Sequence, residues 1–335
     1  MNKQSIQSIA KEVGVAPSTV SRVLNGGSAS AKTIEKVEAI IKKNGYQRNS
    51  AARALRTQKS YRVGVIVPDI ENPAYACMVR YLFEELKNIG YQLILGISYG
   101  SWTEEIKAVE MMWRENIDGL LLHVCEGEDD TPVKKLLDSQ KQDIPMVTLG
   151  KPLHNFNCDS IYSDDEAGWL ELLTYIKELG HTKIAYLSGA TTQGAGAYRF
   201  DCFKAAMRQL NLDIDENLYI CDGEYSILQG KNSSSHLLDK ERPDTILCAN
   251  DLMAIGALAV VQHRDPRIAI TGFDDTIMAA STIPSLTTLA QPFENIAKRA
   301  CFWLNERMNG SDLPPRQWKS APRLIMRNST QLPNR

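Results

Sequence analysis

The feature that most constrains the fold is an alternation of short apolar runs with amphipathic segments, which begins after Tyr61. A short apolar run bounded by turn residues is typical of a buried strand, whereas apolar residues three and four apart indicate a helix. We expect strands over 63–67, 92–95, 119–123, 184–188, 219–221, 246–249 and 268–271, and helices near 73–89, 103–116, 198–210, 227–238 and 252–261. Because strand–helix repeats form parallel sheets covered by helices, the pattern predicts an α/β body with two doubly wound lobes.

Polar loops follow several of the predicted strands. Ligands of parallel α/β sheets bind beyond the carboxyl ends of the strands, so these loops are the candidate binding segments. They cover residues 68–75, 189–199, 250–251 and 272–275. The first of them supplies the candidate ligand contacts Asp69 and Asn72.

Three short helical patterns fill the first 46 residues. The first begins after Ser5, a candidate N-cap, and ends at Gly14; the second begins at Pro17 and ends before Gly26. The third is expected from about residue 31 to 43. Together they predict an all-α helix-turn-helix domain.

The outer face of the second helix carries groups that suit DNA. Ser18, Thr19, Ser21 and Arg22 lie off its apolar stripe, and hydroxyl and guanidinium groups bind phosphates and base edges. Every three-helix bundle has polar outer faces, however, so periodicity alone leaves a DNA-reading surface and a purely structural bundle equally open.

Charge is distributed unevenly along the chain. Residues 1–62 contain twelve Lys or Arg and three Glu, which gives +9, and the remainder carries −11. A basic head on an acidic body suggests that the head meets a polyanion. A solvated basic arm is the alternative.

Composition and motif searches exclude several classes of protein. The chain has no run of eighteen apolar residues and does not open like an export signal, so we expect a cytoplasmic protein without a membrane partner. Its seven scattered cysteines and five histidines lack metal-ligand spacing, which predicts no metal site and cysteines that act as small buried hydrophobes. The glycines near residue 195 lack the third member of a dinucleotide loop, so no cofactor is expected. The acidic pairs 129–130, 164–165 and 274–275 are more typical of solvated loops than of catalytic dyads, and nothing demands an enzyme.

One string in the head is highly specific. Residues 15–25 read Val-Ala-Pro-Ser-Thr-Val-Ser-Arg-Val-Leu-Asn, and this string, with residues 30–33 and 45–46, resembles the LacI/GalR family of bacterial transcription regulators. The resemblance implies that the second helix enters the major groove, where Pro17, Ser18 and Arg22 reach base edges and Arg22 faces guanine. The other head residues expected at the DNA are Ser5, Gln7, Thr19, Ser21 and Asn25. Ala16, Gln7 and the Arg48-Asn49 pair depart from the family pattern, and Pro17 offers the bases no hydrogen bond.

The connector of residues 49–60 matches the family's hinge pattern. The resemblance implies a hinge helix on the minor groove, with Leu55 wedged into the central base step. Asn49, Arg53 and Arg56 would contact DNA beside it. A flexible charged linker is the alternative, since so short a helix is marginal alone.

The body resembles the family's two-lobed, periplasmic-binding-protein-like (type I) core, notably at residues 179–181, 249–257, 272–275 and 285–288. The resemblance implies that Arg199, Asn250 and Asp274 are polar effector contacts and that Tyr75 and Tyr225 are walls of the cleft. This mixture suits a sugar or sugar derivative. Each polar residue also has a local explanation: Asp274 as a turn cap, Asn250 as a helix cap, and Arg199 in an ion pair with Asp201 or a neighbouring acid.

The sequence therefore predicts a helix-turn-helix domain (1–48), a hinge (49–60) and an effector and dimerisation domain (61–335). We expect the first lobe at about 61–162 and 291–321 and the second at about 163–290 and 322–330. The predicted function is a repressor of carbohydrate-utilisation genes that binds a palindromic operator as a homodimer under effector control. The alternatives are a two-lobed solute-binding or sugar-modifying protein and, among regulators, a nucleobase-responsive or coregulator-dependent repressor.

Overall fold

A computed structural model of the chain describes residues 5–24, 27–44, 57, 59–124, 144–150, 158–189 and 194–331. They divide into two compact units, residues 1–60 and 61–335. Of the predicted site residues, Asn25, Asn49, Arg53, Leu55 and Arg56 lie outside the described residues.

Three helices have described bounds in the first unit: α1 (Ile6–Val13), α2 (Pro17–Leu24) and α3 (Ala31–Asn44). Ser5 caps α1, since its hydroxyl accepts the backbone N–H of Ser8, and Gly14 ends the helix at φ 79°. Four buried side chains form the centre of the bundle: Ile9, Ala10, Val20 and Val37. The predicted helices and the predicted N-cap are thereby confirmed.

The second unit contains two six-stranded sheets. Its strands are β1 (Arg62–Val67), β2 (Gln92–Ile97), β3 (Gly119–His123), β4 (Met146–Leu149), β5 (Asp159–Ser163), β6 (Ile184–Ser188), β7 (Tyr219–Cys221), β8 (Thr245–Cys248), β9 (Ala269–Asp274), β10 (Thr287–Ala290), β11 (Gln317–Ser320) and β12 (Arg323–Ile325). The α-helices among its described residues are α4 (Pro73–Asn88), α5 (Trp102–Arg114), α6 (Asp165–Glu178), α7 (Gly194–Gln209), α8 (Ile227–Lys240), α9 (Asp251–Arg264) and α10 (Phe293–Met308).

Each sheet forms the centre of one lobe. Lobe 1 has the order β11-β5-β4-β3-β1-β2, and lobe 2 has the order β12-β10-β9-β8-β6-β7. All described pairings are parallel except β10 with β12. Apolar clusters lie on both faces of each sheet. The predicted fold of two doubly wound lobes is confirmed.

The chain passes between the lobes three times. It leaves lobe 1 after β5, returns after β10, and crosses again between β11 and β12. The strands at these crossings, β5, β10, β11 and β12, were not predicted, because they are short and none of them contains an extended apolar run. The strand predicted at 268–271 continues to Asp274, so residues 272–274 are strand and not loop.

Cysteine burial agrees in part with the prediction. Cys202, Cys248 and Cys301 are buried, while Cys77, Cys158 and Cys221 are half-buried, and these six form no disulfide with one another.

Candidate functional site: an interlobe cavity and an exposed reading helix

A cavity of about 810 Å³ lies at the carboxyl ends of the strands of both lobes. It is lined by all seven residues predicted to contact an effector: Asp69, Asn72, Tyr75, Arg199, Tyr225, Asn250 and Asp274. A volume of this size falls within the range of small-molecule sites. The structure therefore brings the predicted contacts together, and their binding of a ligand stays a prediction.

The turn after β1 is held by its own side chains. Asp69 accepts backbone N–H groups of Glu71 and Asn72 at 2.7 and 3.0 Å, and Asn72 caps α4 by accepting the N–H of Ala74 at 3.0 Å. The ring of Tyr75 stands edge-on to His123, with 5.2 Å between ring centroids. Asp69 and Asn72 thus hold the loop that places Tyr75 at the cavity, and they do so without a ligand.

Arg199 is the most strongly engaged group in the cavity. Its Nε donates to Asp165 at 3.0 Å, its Nη1 donates to the carbonyl of Ala249 at 2.7 Å, and its guanidinium lies 3.8 Å from the ring centroid of Phe273. Burial disfavours the charge, but Asp165 and Asp274 outweigh that effect and raise the pKa of Arg199. The ion pair of Arg199 is with the buried Asp165, whereas the expected pair was with Asp201 or another acid on the surface; Asp201 pairs instead with Lys204.

Asp274 ends β9 in a backbone conformation that is uncommon for residues other than glycine, with φ 119°. Its carboxylate accepts a hydrogen bond from the side-chain amide of Gln291 at 3.3 Å. Burial raises the pKa of Asp274 to about 8 against the lowering effect of Arg199. A buried carboxyl that holds a proton near neutral pH can donate a hydrogen bond as well as accept one.

Asn250 has a structural role and a place in the cavity wall. Its Oδ1 caps α9 by accepting the N–H of Met253 at 2.9 Å, as the helix-cap explanation predicts, and its Nδ2 donates to the carbonyl of Tyr225 at 3.1 Å. The Tyr225 ring lies against Gly189, where a Cβ atom would come within 2.6 Å of the ring. Glycine at the end of β6 is therefore what admits this aromatic wall.

Asp251, next in the chain, is turned away from the cavity. It accepts the hydroxyl of Thr288 and the N–H of Thr276, each at 2.6 Å, and burial raises its pKa to about 6. It joins α9 to β10 and to the loop after β9.

Sequence reasoning missed Asp165 and Ser163, which line the cavity between β5 and α6. The pair 164–165 was expected to be solvated, yet Asp165 is 3% exposed and Asp274 is 7% exposed. That expectation is wrong for both because each lies at a strand end that faces the opposite lobe. Recognition of 159–163 as a polar strand would have placed Asp165 at such an end.

Helix α2 of the first unit exposes the residues that were predicted to contact DNA. Pro17, Ser18 and Arg22 are exposed, and Thr19 and Ser21 are half-exposed. Ala16 has no capping side chain, and its carbonyl accepts the N–H of Thr19 at 2.9 Å. On α1, Gln7 is exposed, while the Ser5 hydroxyl is occupied by its capping bond.

The described part of the chain contains neither a candidate metal site nor a membrane-spanning helix. It contains no group of three or more His, Cys, Asp or Glu that could hold a metal ion. None of its helices has the length and apolar character needed to cross a membrane.

Comparison with known proteins gives a family match for two parts of the chain and relatives over nearly its whole length. Residues 5–49 match the bacterial regulatory proteins of the lacI family, and residues 173–330 match the periplasmic binding protein-like domain. The chain is 29% identical over 334 residues to the HTH-type transcriptional regulator DegA of Bacillus subtilis, with 98% of each chain covered. It is 28% identical over 335 residues to the HTH-type transcriptional repressor PurR of Photobacterium profundum, again with 98% of each chain covered.

A solved structure supports the same conclusion at the level of the fold. The lac repressor dimer bound to operator and the anti-inducer ONPF superposes with a TM-score of 0.83, at 24% identity, over 98% of this chain and 99% of that one. The curated relatives named above are transcription regulators and not enzymes. Motif, fold and relatives agree: the chain joins a helix-turn-helix domain of the lacI family to a periplasmic binding protein-like domain, and the curated relatives that it resembles over its length are transcription regulators.

Proposed function

We propose that the protein is a sequence-specific transcription repressor of carbohydrate-utilisation genes in the cytoplasm and that it is not an enzyme. It binds a near-palindromic operator as a homodimer, and a sugar or sugar derivative in the interlobe cavity controls that binding. The observation that carries the proposal is the cavity itself, which collects all seven predicted contacts at the strand ends of two lobes. An effector between the lobes changes the populations of their relative arrangements, and a hinge at 49–60 passes that change to the head.

The head supports the DNA-binding part of the proposal. Arg22 is exposed on a helix whose inner side, at Val20, is fully buried, so the guanidinium is presented by a packed element. A bidentate contact with guanine contributes about 1–3 kcal/mol of discrimination against the wrong base. One such head reads few base pairs, so we infer a dimer on paired half-sites.

The cavity supports a polyhydroxy effector. Carboxylates, an amide and a guanidinium bind adjacent hydroxyls, and the rings of Tyr75 and Tyr225 cover C–H surface. Because PurR is among the relatives, a nucleobase effector is the second candidate that the test below must distinguish. A ligand-independent head with a protein coregulator is the other outcome.

The test of DNA reading is a selection of duplexes from a random library by the full chain, followed by titration of the selected duplex. We expect enrichment of a two-fold symmetric site and loss of its specific affinity by about tenfold or more in Arg22→Ala, with nonspecific binding only slightly weaker. Lys36→Ala is the matched control, because it removes one exposed positive charge from α3 instead of α2. Enrichment of no sequence would contradict the proposal and favour the solute-binding alternative.

The test of effector control is thermal melting of the full chain with sugars, sugar phosphates, nucleobases and amino acids. A ligand present at about 100 Kd adds roughly 2.7 kcal/mol to the free energy of unfolding. Its addition to the DNA titration gives the sign of the coupling. Turnover of the bound ligand would instead indicate the sugar-modifying alternative.

A further inference from the structure

The described walls of the interlobe cavity carry an excess of acidic side chains. Five carboxyl groups line it, from Asp69, Glu71, Asp165, Glu224 and Asp274, against the single guanidinium of Arg199. The acids still outnumber the guanidinium by four to one when the raised pKa of Asp274 keeps that group protonated. Charges in a cleft with low-dielectric walls act strongly on whatever enters it. The balance of these walls therefore discriminates between ligands of different charge.

The positive charge of the Arg199 guanidinium is already balanced by a carboxylate of the protein. Asp165 holds Nε, the carbonyl of Ala249 holds Nη1, and Phe273 covers one face of the planar group. An arginine that binds phosphate or carboxylate offers two parallel N–H donors to the anion. Here an anion would compete with Asp165 for the Nε edge while lying close to Asp274.

Two acceptor atoms of the wall lack a partner in the described structure. Asp165 Oδ1 and Ser163 Oγ are buried and make no hydrogen bond to the described residues, although both residues line the cavity and are less than a tenth exposed. Buried polar atoms normally have partners, so unpaired atoms at a cavity wall indicate where a ligand binds. A carboxylate oxygen only accepts, and it therefore requires a ligand hydroxyl or N–H.

We propose that the cavity binds a non-anionic polyhydroxy ligand, an uncharged sugar or its amine-bearing form, and rejects phosphorylated and carboxylated sugars. The inference rests on the proposed function in treating this cavity as the effector site. A sugar hydroxyl donates to Asp165 Oδ1 and can accept from a free N–H of Arg199, whereas a phosphate group has no such donor and adds about −1.5 to −2 charges to an acidic site. An amine gains a favourable interaction with the same carboxylates.

The first test compares matched probes on the full chain by calorimetric titration and thermal melting. The sets are D-glucose, D-glucosamine, D-glucuronate and D-glucose 6-phosphate, and D-ribose with D-ribose 5-phosphate. We expect binding by at least one uncharged or amino member, with its acidic counterpart weaker by about tenfold or more. Tighter binding of a phosphate or carboxylate member, abolished in Arg199→Ala, overturns the inference.

The second test needs no effector, because its probe is inorganic phosphate. We expect no saturable binding to the unmodified protein at millimolar phosphate. Asp165→Asn should create such binding by freeing the Nε edge of Arg199, while Asp201→Asn, the same change on an exposed residue of α7 that pairs with Lys204, should not. Saturable phosphate binding by the unmodified protein that is lost in Arg199→Ala contradicts the inference, and its absence supports it.

A third variant tests the same inference if Asp165→Asn does not fold. Glu224 is exposed, so Glu224→Lys alters the charge of the wall without disturbing a buried contact. We expect it to raise the affinity for D-glucose 6-phosphate or inorganic phosphate by about tenfold relative to an uncharged probe. An unchanged ratio contradicts the inference.

The DNA titration separates failure of this inference from failure of the proposed function. A phosphorylated ligand that changes operator affinity overturns only the charge class. A protein that selects no DNA sequence but shows the expected charge preference overturns only the regulator assignment.

Discussion

Two buried carboxylates, Asp159 and Asp165, occupy opposite ends of the same short segment and are paired in opposite ways. Asp159 opens β5, is fully buried and accepts five hydrogen bonds from Arg307 and Arg316 at 2.8–3.2 Å. Asp165, six residues later in the chain, receives one hydrogen bond from Arg199, on Oδ2, and its Oδ1 makes none to the described residues. A fully paired carboxylate joins elements of the fold, whereas a half-paired one at a cavity keeps bonding capacity for a ligand.

The carboxyl pKa is lowered in the Asp159 network and raised in the cavity. Burial alone would raise the pKa of Asp159, but its hydrogen bonds from Arg307 and Arg316 lower it to about 2. In the cavity, burial dominates and raises the pKa of Asp274 to about 8. At neutral pH, Asp159 is therefore stabilised in its charged form, whereas burial destabilises the charged form of Asp274.

The largest expected loss of stability follows from a change at Asp159. Asp159→Asn should lower the free energy of unfolding by about 3 kcal/mol, because it leaves two guanidinium groups without their buried counter-charge. Asp165→Asn should cost less, about 2 kcal/mol, because it removes one counter-charge of a single buried guanidinium, that of Arg199, and weakens one hydrogen bond. Urea unfolding measures both values, and equal losses would show that the two carboxylates stabilise the fold to the same extent.

The second effect concerns pH. A raised pKa means that the folded state holds the proton better, so the penalty of Asp274 is absent below pH 4 and grows as pH rises toward 8. Asp274→Asn should therefore gain stability on the unmodified protein between pH 5 and pH 8, by up to about 4 kcal/mol. Parallel stability curves over this range would show that Asp274 does not titrate as the structure indicates.

The Asp159 network should respond at acidic pH with the opposite sign. Its lowered pKa gives a contribution that is present above about pH 4 and is lost as pH falls toward 2. The stability difference between the unmodified protein and Asp159→Asn should therefore shrink over that range in acid unfolding curves. A difference that stays constant down to pH 2 contradicts this role.

Ligand response should reverse the order of the two carboxylates. Asp165→Asn should weaken the affinity for whichever sugar stabilises the protein by about tenfold, or 1.4 kcal/mol, through the loss of an acceptor at the wall. Asp159→Asn should bind that sugar with unchanged affinity at a temperature where it is folded. Isothermal calorimetry of both variants decides this, and a larger loss for Asp159→Asn would refute the division of roles.

The smallest effect is expected at an exposed carboxylate. Asp201 pairs with Lys204, and its side chain is 72% exposed. Asp201→Asn should change the free energy of unfolding by no more than about 0.5 kcal/mol and leave sugar affinity unaltered. A larger change in either would mean that removal of charge alone, independent of burial, explains the other variants.

How much the sequence predicts also differs between these regions. The strand-end rule and the family resemblance placed Arg199 and Asp274 correctly at the cavity wall. They did not reveal Asp165, because β5 is short and mostly polar, and its own residues give no apolar run that would predict a strand there. The Asp159 network joins β5 to Arg307 and Arg316, which lie about 150 residues further along the chain, so no local pattern predicts it.

The head shows the reverse case. Its three helices and the Ser5 cap followed from local signals, since each helix carries its own apolar stripe and terminating residue. Contacts to DNA depend on a partner, so no intramolecular distance tests Arg22. Its role stays a prediction that only DNA can test.

The central claim is that the cavity controls DNA reading by the head, and titration of the selected duplex with and without the stabilising sugar tests it most directly. We predict that the sugar changes operator affinity of the unmodified protein by about fivefold or more, and that Asp165→Asn needs about tenfold more sugar for the same change while Asp201→Asn does not. An operator affinity that ignores a sugar bound in the cavity would contradict the account.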